Sequence, residues 1–433
     1  MSRPEAARRG EESVQVRRSL PAALVLIALL VAAVGSLGAP LITSVATEYG
    51  VSLAAAQWTL TVTLLSGAVT TPLLGRLGSG RRRRTATLAT LAVVTAGSVC
   101  TVLPGPFALL IAGRAAQGAG LGLVPLLMAT AREALDQEHS TRVIAMLSVA
   151  TTAAIGVGYP LAGLLTDHGG VRAAYLVGLV VTAAAFLIGV GTLPPPRAAP
   201  HTPGLDWRGA VLLGVALVAV LIPLGDDELW SHHAPAAAGL LGAGLVVLLL
   251  WGAMEWRAPS PLVDLRALRH PMVARANLAM FVGGAAMYLL LSLVTRYAQT
   301  PSAAGYGFGL DTFEAGLVLV PFSVAGFAAG RVVPRVTARL GAPRTVAAST
   351  ALVTLGFLVF AIGRSAVAGP IVAVTVLGFA VGSISAAMPA MILAVTPPEE
   401  TARAMSVNQV VRSVGFSLGS ALGGFILSAH VMS

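Results

Sequence analysis

The chain has 433 residues, 56% of them hydrophobic and 11% charged, with a formal net charge of +10. Soluble domains carry about 25% charged residues, so this composition excludes a soluble enzyme. All 28 basic residues are arginine, and they lie in short segments between apolar runs, which reads as membrane topology and not as a nucleic-acid footprint.

Mean hydropathy is +0.84, and apolar runs of about twenty residues, each able to cross a ~30 Å hydrocarbon core, recur from end to end. Because the runs are continuous, a β-barrel, whose strands alternate apolar and polar residues, is excluded. The expected fold class is an all-α polytopic membrane protein with about thirteen transmembrane helices.

The basic tail, residues 1–19, leads into a span centred near Leu30. Its apolar core runs too long for a cleaved leader, so an uncleaved first helix is expected. Spans follow near Leu65, Val94, Gly118, Ala154 and Val181, and complete a first bundle over 20–193. A polar linker, 194–208, precedes two inserted helices over 209–256, centred near Ala216 and Leu245. A second linker, 257–271, leads to a last bundle over 272–433 with spans near Ala285, Val324, Leu355, Val376 and Gly419. Arginines concentrate before the first span and in alternate loops after it, including Arg81, Arg82, Arg132, Arg142, Arg266 and Arg339. The positive-inside rule then places the N-terminus in the cytoplasm and, with an odd count, the C-terminus outside.

Polar residues inside the spans are the candidate functional groups. Arg114 lies about 12 Å along a helix from Pro106, near mid-membrane, where an arginine costs about 2.5–3.5 kcal/mol. Gln117 and Gly118 share its face. Two readings stand: a brace tied to backbone carbonyls of neighbouring helices, or a contact to substrate. Arg412 follows Asn408 and Gln409 by one turn, and these could line the inner half of a cavity. Gly415 and Gly419 beyond it read as a packing face. Gly156, Gly158, Pro160 and Gly163 read as a kinked, closely packed helix. Neutral cavity candidates are Gln57, Trp58, Thr61, Asn277, Tyr288 and Tyr297, with Trp58 and Tyr297 also suited to the membrane interface. Apolar and aromatic walls suit apolar or amphipathic compounds, whereas two arginines on the path favour anionic ones.

No Asp, Glu or His is expected inside a span. The nearest are Glu48, Asp311 and Glu314 at one boundary, and Glu133 and Asp206 at the other. Arginine keeps its proton, so this inventory supplies no proton-coupling group. Cys100 is the single cysteine, which leaves no disulfide framework, and no cofactor or metal motif is evident.

Joint signatures resemble the major facilitator superfamily, and within it the fourteen-helix drug:proton antiporter branch. "GRAAQGAGLG" is similar to its Arg-x-x-Gln-Gly signature, and "GVGYPLAGLL" to its antiporter signature. "GRLGSGRRRR" and "GRVVPRVTARLGAPR" resemble its paired basic loops, with Gly75, Ser79, Arg81 and Arg82 in the first and Arg339 and Gly341 in the second. "LDWRGAVLL", "PLVDLRALR" and "VNQVVRSVGFSLGSALGG" resemble the flanks of the extra helices and the penultimate helix. Ser79 stands where the family has Asp, Tyr159 precedes Pro160 in place of glycine, and Leu164 replaces a second closing glycine.

The resemblance implies two six-helix-type bundles with two extra central helices, the basic loops as gates, and the glycines as packing. It also implies a monomeric secondary exporter of drug- or antibiotic-like molecules in a bacterial plasma membrane, working by alternating access, with the proton gradient as the driving force. The last bundle shows five spans where the family has six, which reads as truncation or as a thirteen-helix form, truncation being preferred. A truncated or degenerate non-transporting member, or a membrane sensor on the same scaffold, is the alternative.

Overall fold

The computed structural model describes the chain except for residues 1–2, 38–40, 79–81, 196–205, 226, 260, 264, 303–305 and 432–433. Certain side chains within helices, among them those of 3–18, Gln57 and 423–431, are likewise outside the description. Of the sequence candidates, Ser79, Arg81 and the Gln57 side chain therefore lie outside the described residues.

All regular elements among the described residues are helical. The first group comprises α1 (Arg3–Ser36), α2 (Ile42–Tyr49), α3 (Leu53–Leu77), α4 (Arg83–Val102), α5 (Phe107–Gly118), α6 (Leu123–Ala134) and α7 (Gln137–Thr192). Then come α8 (Trp207–Gly225) and α9 (Asp227–Arg257). The last group is α10 (Pro271–Gln299), α11 (Thr312–Val318), α12 (Val320–Leu340), α13 (Ala342–Gly363), α14 (Ala368–Leu393) and α15 (Thr401–Val431). Nine described helices are long and apolar enough to cross a membrane, or up to ten with a bent pair counted as one span.

The breaks follow from local chemistry. A 3-10 turn over Ala119–Gly122 joins α5 to α6 at a glycine-rich stretch. Inside α7, Gly170 adopts φ 66°, a left-handed value that glycine takes without a Cβ clash, and the helix divides there. Gly341 turns α12 into α13 at φ 83°.

Within the first group α1 packs on α7, and α5 on both α3 and α4; within the last, α10 packs on α15 and α12 on α14. The inserted helices α8 and α9 pack on each other, and α8 leans on α3. The two groups meet through α7 against α12 and through α15 against α3 and α6. Absent side chains set the closest approaches: a Cβ on Gly419 would stand 2.1 Å from the Ala285 carbonyl oxygen. That agrees with small residues drawing helices together where lipid gives no hydrophobic drive.

The expectation that no Asp, Glu or His enters a span is overturned. Near their ends the described spans take in Glu133, His232, His233, Glu255 and Glu314. Of these, Glu255, in the span His232–Arg257 of α9, is the one that is fully buried. The sequence reading missed it because it sits in the last turn before a basic, polar linker, where a carboxylate looks solvated.

Candidate transport site

Arg114 is 0% exposed, the largest fully buried side chain among those described. Its Nε donates to the Thr59 carbonyl at 3.0 Å and its Nη1 to the Val34 carbonyl at 3.3 Å. Nη1 also donates to Gln117 Oε1 at 2.8 Å. Gln117 Nε2 passes the chain on to Ser98 Oγ at 2.9 Å, and Thr182 Oγ1 donates to the same oxygen at 3.2 Å. One guanidinium thus links α5 to α1 and α3, and its glutamine extends the network to α4 and α7. Its geometry is that of a brace inside the first group. Gly118 lets α3 approach, since a Cβ there would lie 2.3 Å from the Thr63 carbonyl oxygen.

Arg412 occupies a different place. It lies on α15 at the junction of the two groups, with Nη1 at 3.5 Å from the Ser148 carbonyl of α7. Its guanidinium carbon stands 5.4 Å from the centre of the Phe416 ring, and Tyr288 packs on that ring at 4.7 Å. Asn408 Nδ2 donates to Asn277 Oδ1 at 3.0 Å, and Asn277 Nδ2 to the Val273 carbonyl at 2.9 Å. Asn408, Gln409 and Arg412 face a void of about 10 Å³ between the groups, room for about one water. Its other walls are Val124, Pro125 and Met128 of α6, Ser148 of α7, and Met280, Met388 and Met405. Four methionines around one void give soft walls that can re-pack around different shapes. Asn277, which bonds Asn408, also lines a second cavity of about 140 Å³, opening toward His270, Glu400 and Arg403. The structure therefore joins Arg412, Gln409, Asn408, Asn277 and Tyr288 at the group boundary, and sets Arg114 and Gln117 apart from them.

The glycine candidates sit on helix contacts. Gly156 meets Ser323, and Gly163 faces Phe313. Gly158 is buried, and Pro160 packs near Gly316. In the first basic loop Gly75 approaches Ser406 and the Ala402 carbonyl of α15, and Arg82 is exposed. Arg339 and Gly341 are exposed at the α12–α13 turn.

The boundary acids have structural partners. Glu48 Oε2 accepts the Val171 amide at 3.0 Å, and Asp311 with Glu314 forms a capping box for α11. Glu133 pairs with Arg83, and Asp206 Oδ1 accepts the Gly209 amide at 2.9 Å. Asp136 caps α7, and the His139 amide and ring hold its carboxyl below the usual aspartate range. Among the described residues no cluster of His, Cys, Asp and Glu could hold a metal ion.

Sequence reasoning missed Glu255, Ser323 and the methionine walls. The methionines carried no signal, being indistinguishable from core residues in a uniformly apolar helix. Ser323 had one: a small hydroxyl between apolar residues on a helix that must meet a glycine-rich partner.

The Major Facilitator Superfamily family model matches residues 24–420. The cephamycin export protein CmcT of Amycolatopsis lactamdurans is 31% identical over 321 residues, 72% of this chain and 64% of that protein. The drug efflux pump JefA of Mycobacterium tuberculosis is 28% identical over 366 residues, 81% of this chain and 68% of the pump. In fold, the chain is similar to the human organic anion transporter MFSD10 (TETRAN), with a TM-score of 0.67 at 17% identity, covering 94% of this chain and 92% of that one. With a matching family model over nearly its whole length and the matching helical fold, the chain belongs to the Major Facilitator Superfamily, a family of membrane transporters and not of enzymes.

Proposed function

We propose that the protein is a secondary exporter of drug- or antibiotic-like small molecules, moved across the membrane by alternating access between the two helix groups. The observation that carries this reading is the void at the group boundary, walled by Met128, Met280, Met388 and Met405 and faced by Arg412, Asn408 and Gln409. A rocking motion of one group against the other would widen that void into a cavity. Methionine walls suit apolar bodies of varied shape, and Arg412 suits an anionic or acceptor-bearing end. Two of the relatives named above are an antibiotic exporter and a drug efflux pump, which supports this substrate class.

The energy source we propose is exchange with protons, on the strength of the resemblance to the drug:proton antiporter branch. The protein is a monomer in the bacterial plasma membrane in this reading, with the arginine-rich end in the cytoplasm. Dye efflux from cells carrying the chain tests it: efflux should appear with the protein and collapse with a protonophore. Efflux indifferent to the protonophore removes proton exchange, and no efflux of any probe in liposomes removes transport.

A further inference from the structure

We propose that the segment leaving the inserted helix pair, Pro261–Val263, is a clasp that holds the two helix groups together at the arginine-rich end, with Glu255 as its positioning residue. The clasp goes beyond the transport reading by giving the inserted pair a task, and rests on that reading only for the motion it restrains.

Two arginines from opposite groups converge on one oxygen. Arg76, near the end of α3, donates Nη1 to the Pro261 carbonyl at 2.8 Å. Arg403, in the first turn of α15, donates Nη2 to the same carbonyl at 3.2 Å. A carbonyl oxygen has two lone pairs and can take both donors. Like charges brought this close repel, so the arrangement holds only with a fixed acceptor and nearby negative charge. Asp206 lies close enough to Arg76 to act on it electrostatically, so the negative charge does not rest on Glu255.

Glu255 fixes the acceptor in place. It is fully buried, and its Oε2 accepts the Val263 amide at 3.2 Å, two residues beyond Pro261. The start of α8 closes over the same carboxyl: a Cβ on Gly209 would stand 2.4 Å from Glu255 Oε1. An apolar cluster independently ties the same elements together. Leu262 and Val263 pack with Ala68 of α3, Leu213 of α8, Trp251 of α9 and Val407 of α15. The turn that carries the Pro261 carbonyl is thus held by α8 and α9, while its acceptor is used by α3 and α15. Separation of α3 from α15 at this end must break at least one of the two arginine bonds.

The test reads access from the arginine-rich side and needs no transported substrate. In a Cys100→Ser background, Ser148→Cys places a thiol on the void wall. Inside-out vesicles are treated with a membrane-impermeant maleimide, and the labelling rate is compared among variants. Arg403→Ala and Glu255→Ala should each raise the rate about fivefold or more, the change that losing ~1 kcal/mol makes in a two-state equilibrium. Glu255→Gln keeps an acceptor for the Val263 amide and should stay within about twofold of the parent. Rates within twofold of the parent for both alanine variants would overturn the clasp. A rise in Glu255→Gln equal to that in Glu255→Ala would overturn the positioning role. Should Glu255→Ala fail to give a monodisperse detergent peak, Arg403→Ala decides alone. Raised labelling without any dye efflux would leave the clasp standing and remove the transport reading.

Discussion

The hydroxyl of Ser323 on α12 sits inside the backbone ladder of α7, accepting the Gly156 amide at 2.6 Å. The same hydroxyl donates to the Thr152 carbonyl at 2.7 Å. In an uninterrupted α-helix the Gly156 amide would reach that carbonyl directly. A side chain from the other helix group thus bonds both partners of one rung. Insertion into the ladder is an identifiable cause of bending, and the stretches Gln137–Ala150 and Thr152–Thr166 meet at 46°. Glycine at 156 makes room, since a Cβ there would lie 2.5 Å from the Ser323 side chain.

Ser323→Ala removes both bonds at once and leaves a buried amide and a buried carbonyl facing a methyl group. The cost of such unsatisfied groups is about 1–3 kcal/mol. The thermal midpoint of the purified protein in detergent should fall by several degrees, and Ser323→Thr, which keeps the hydroxyl, should fall less. An unchanged midpoint in Ser323→Ala would mean that α7 closes its own rung without help.

Arg114 and Arg412 should respond to mutation in different ways, because one lies within a helix group and the other between groups. The side chain in Arg114→Gln is neutral and cannot span from Thr59 to Val34, so both carbonyls lose a charged donor and at least one loses its donor altogether. Hydrogen bonds from charged groups are worth about 1.5–3 kcal/mol each. The expected result is a large drop in thermal midpoint and in membrane-inserted yield, with Gln117→Ala dropping less. A fully stable Arg114→Gln protein that has lost only transport would return Arg114 to the substrate path.

Much of this architecture was legible in the sequence, because a bilayer leaves few choices. Continuous apolar runs dictate helices, glycines four apart dictate close crossing, and Arg114 had to find acceptors wherever it was buried. Which acceptors it found was not legible: Val34 and Thr59 offer only backbone carbonyls, which every residue has. Arg412, Asn408 and Asn277 could be named one by one, but their meeting depends on how α10 packs on α15. Glu255 was hidden for a different reason. A carboxylate beside arginines in a linker looks like a solvated pair, and only the covering start of α8 buries it.

The cap on α7 gives a pH dependence with a definite sign. Asp136 accepts the His139 amide at 3.0 Å, and the His139 ring also contacts its carboxylate. Those bonds hold its carboxyl below the ordinary value of 3.8. A depressed acid contributes stability above its unfolded value and loses it as pH falls through the folded one. Amide exchange in the first turn of α7 should therefore stay slow at neutral pH and speed up, relative to the rest of the helix, below about pH 4. Asp136→Asn keeps a capping oxygen and should flatten that dependence. The same acid-induced fraying in Asp136→Asn would assign the effect to another group.

Arg412 carries the prediction about what the void selects. Its guanidinium lies near Ser148 of α7 and over Phe416, so it combines charge with a flat stacking face. Arg412→Ala removes both, whereas Arg412→Lys keeps the charge and loses the planar fork. Two probes of matched apolar body separate these properties, one carrying a carboxylate and one its neutral amide. In Arg412→Ala, efflux of the carboxylate probe should fall about tenfold, the loss of ~1.4 kcal/mol of charge-assisted binding. Efflux of the amide probe should stay within about threefold of the parent, because the methionine walls that hold its body are untouched. Arg412→Lys should recover part of the carboxylate efflux. Equal losses for both probes in Arg412→Ala would make Arg412 a gate or a brace and not a selector. A carboxylate probe that is exported better by the alanine variant would mean that the charge retains substrate and does not help to move it.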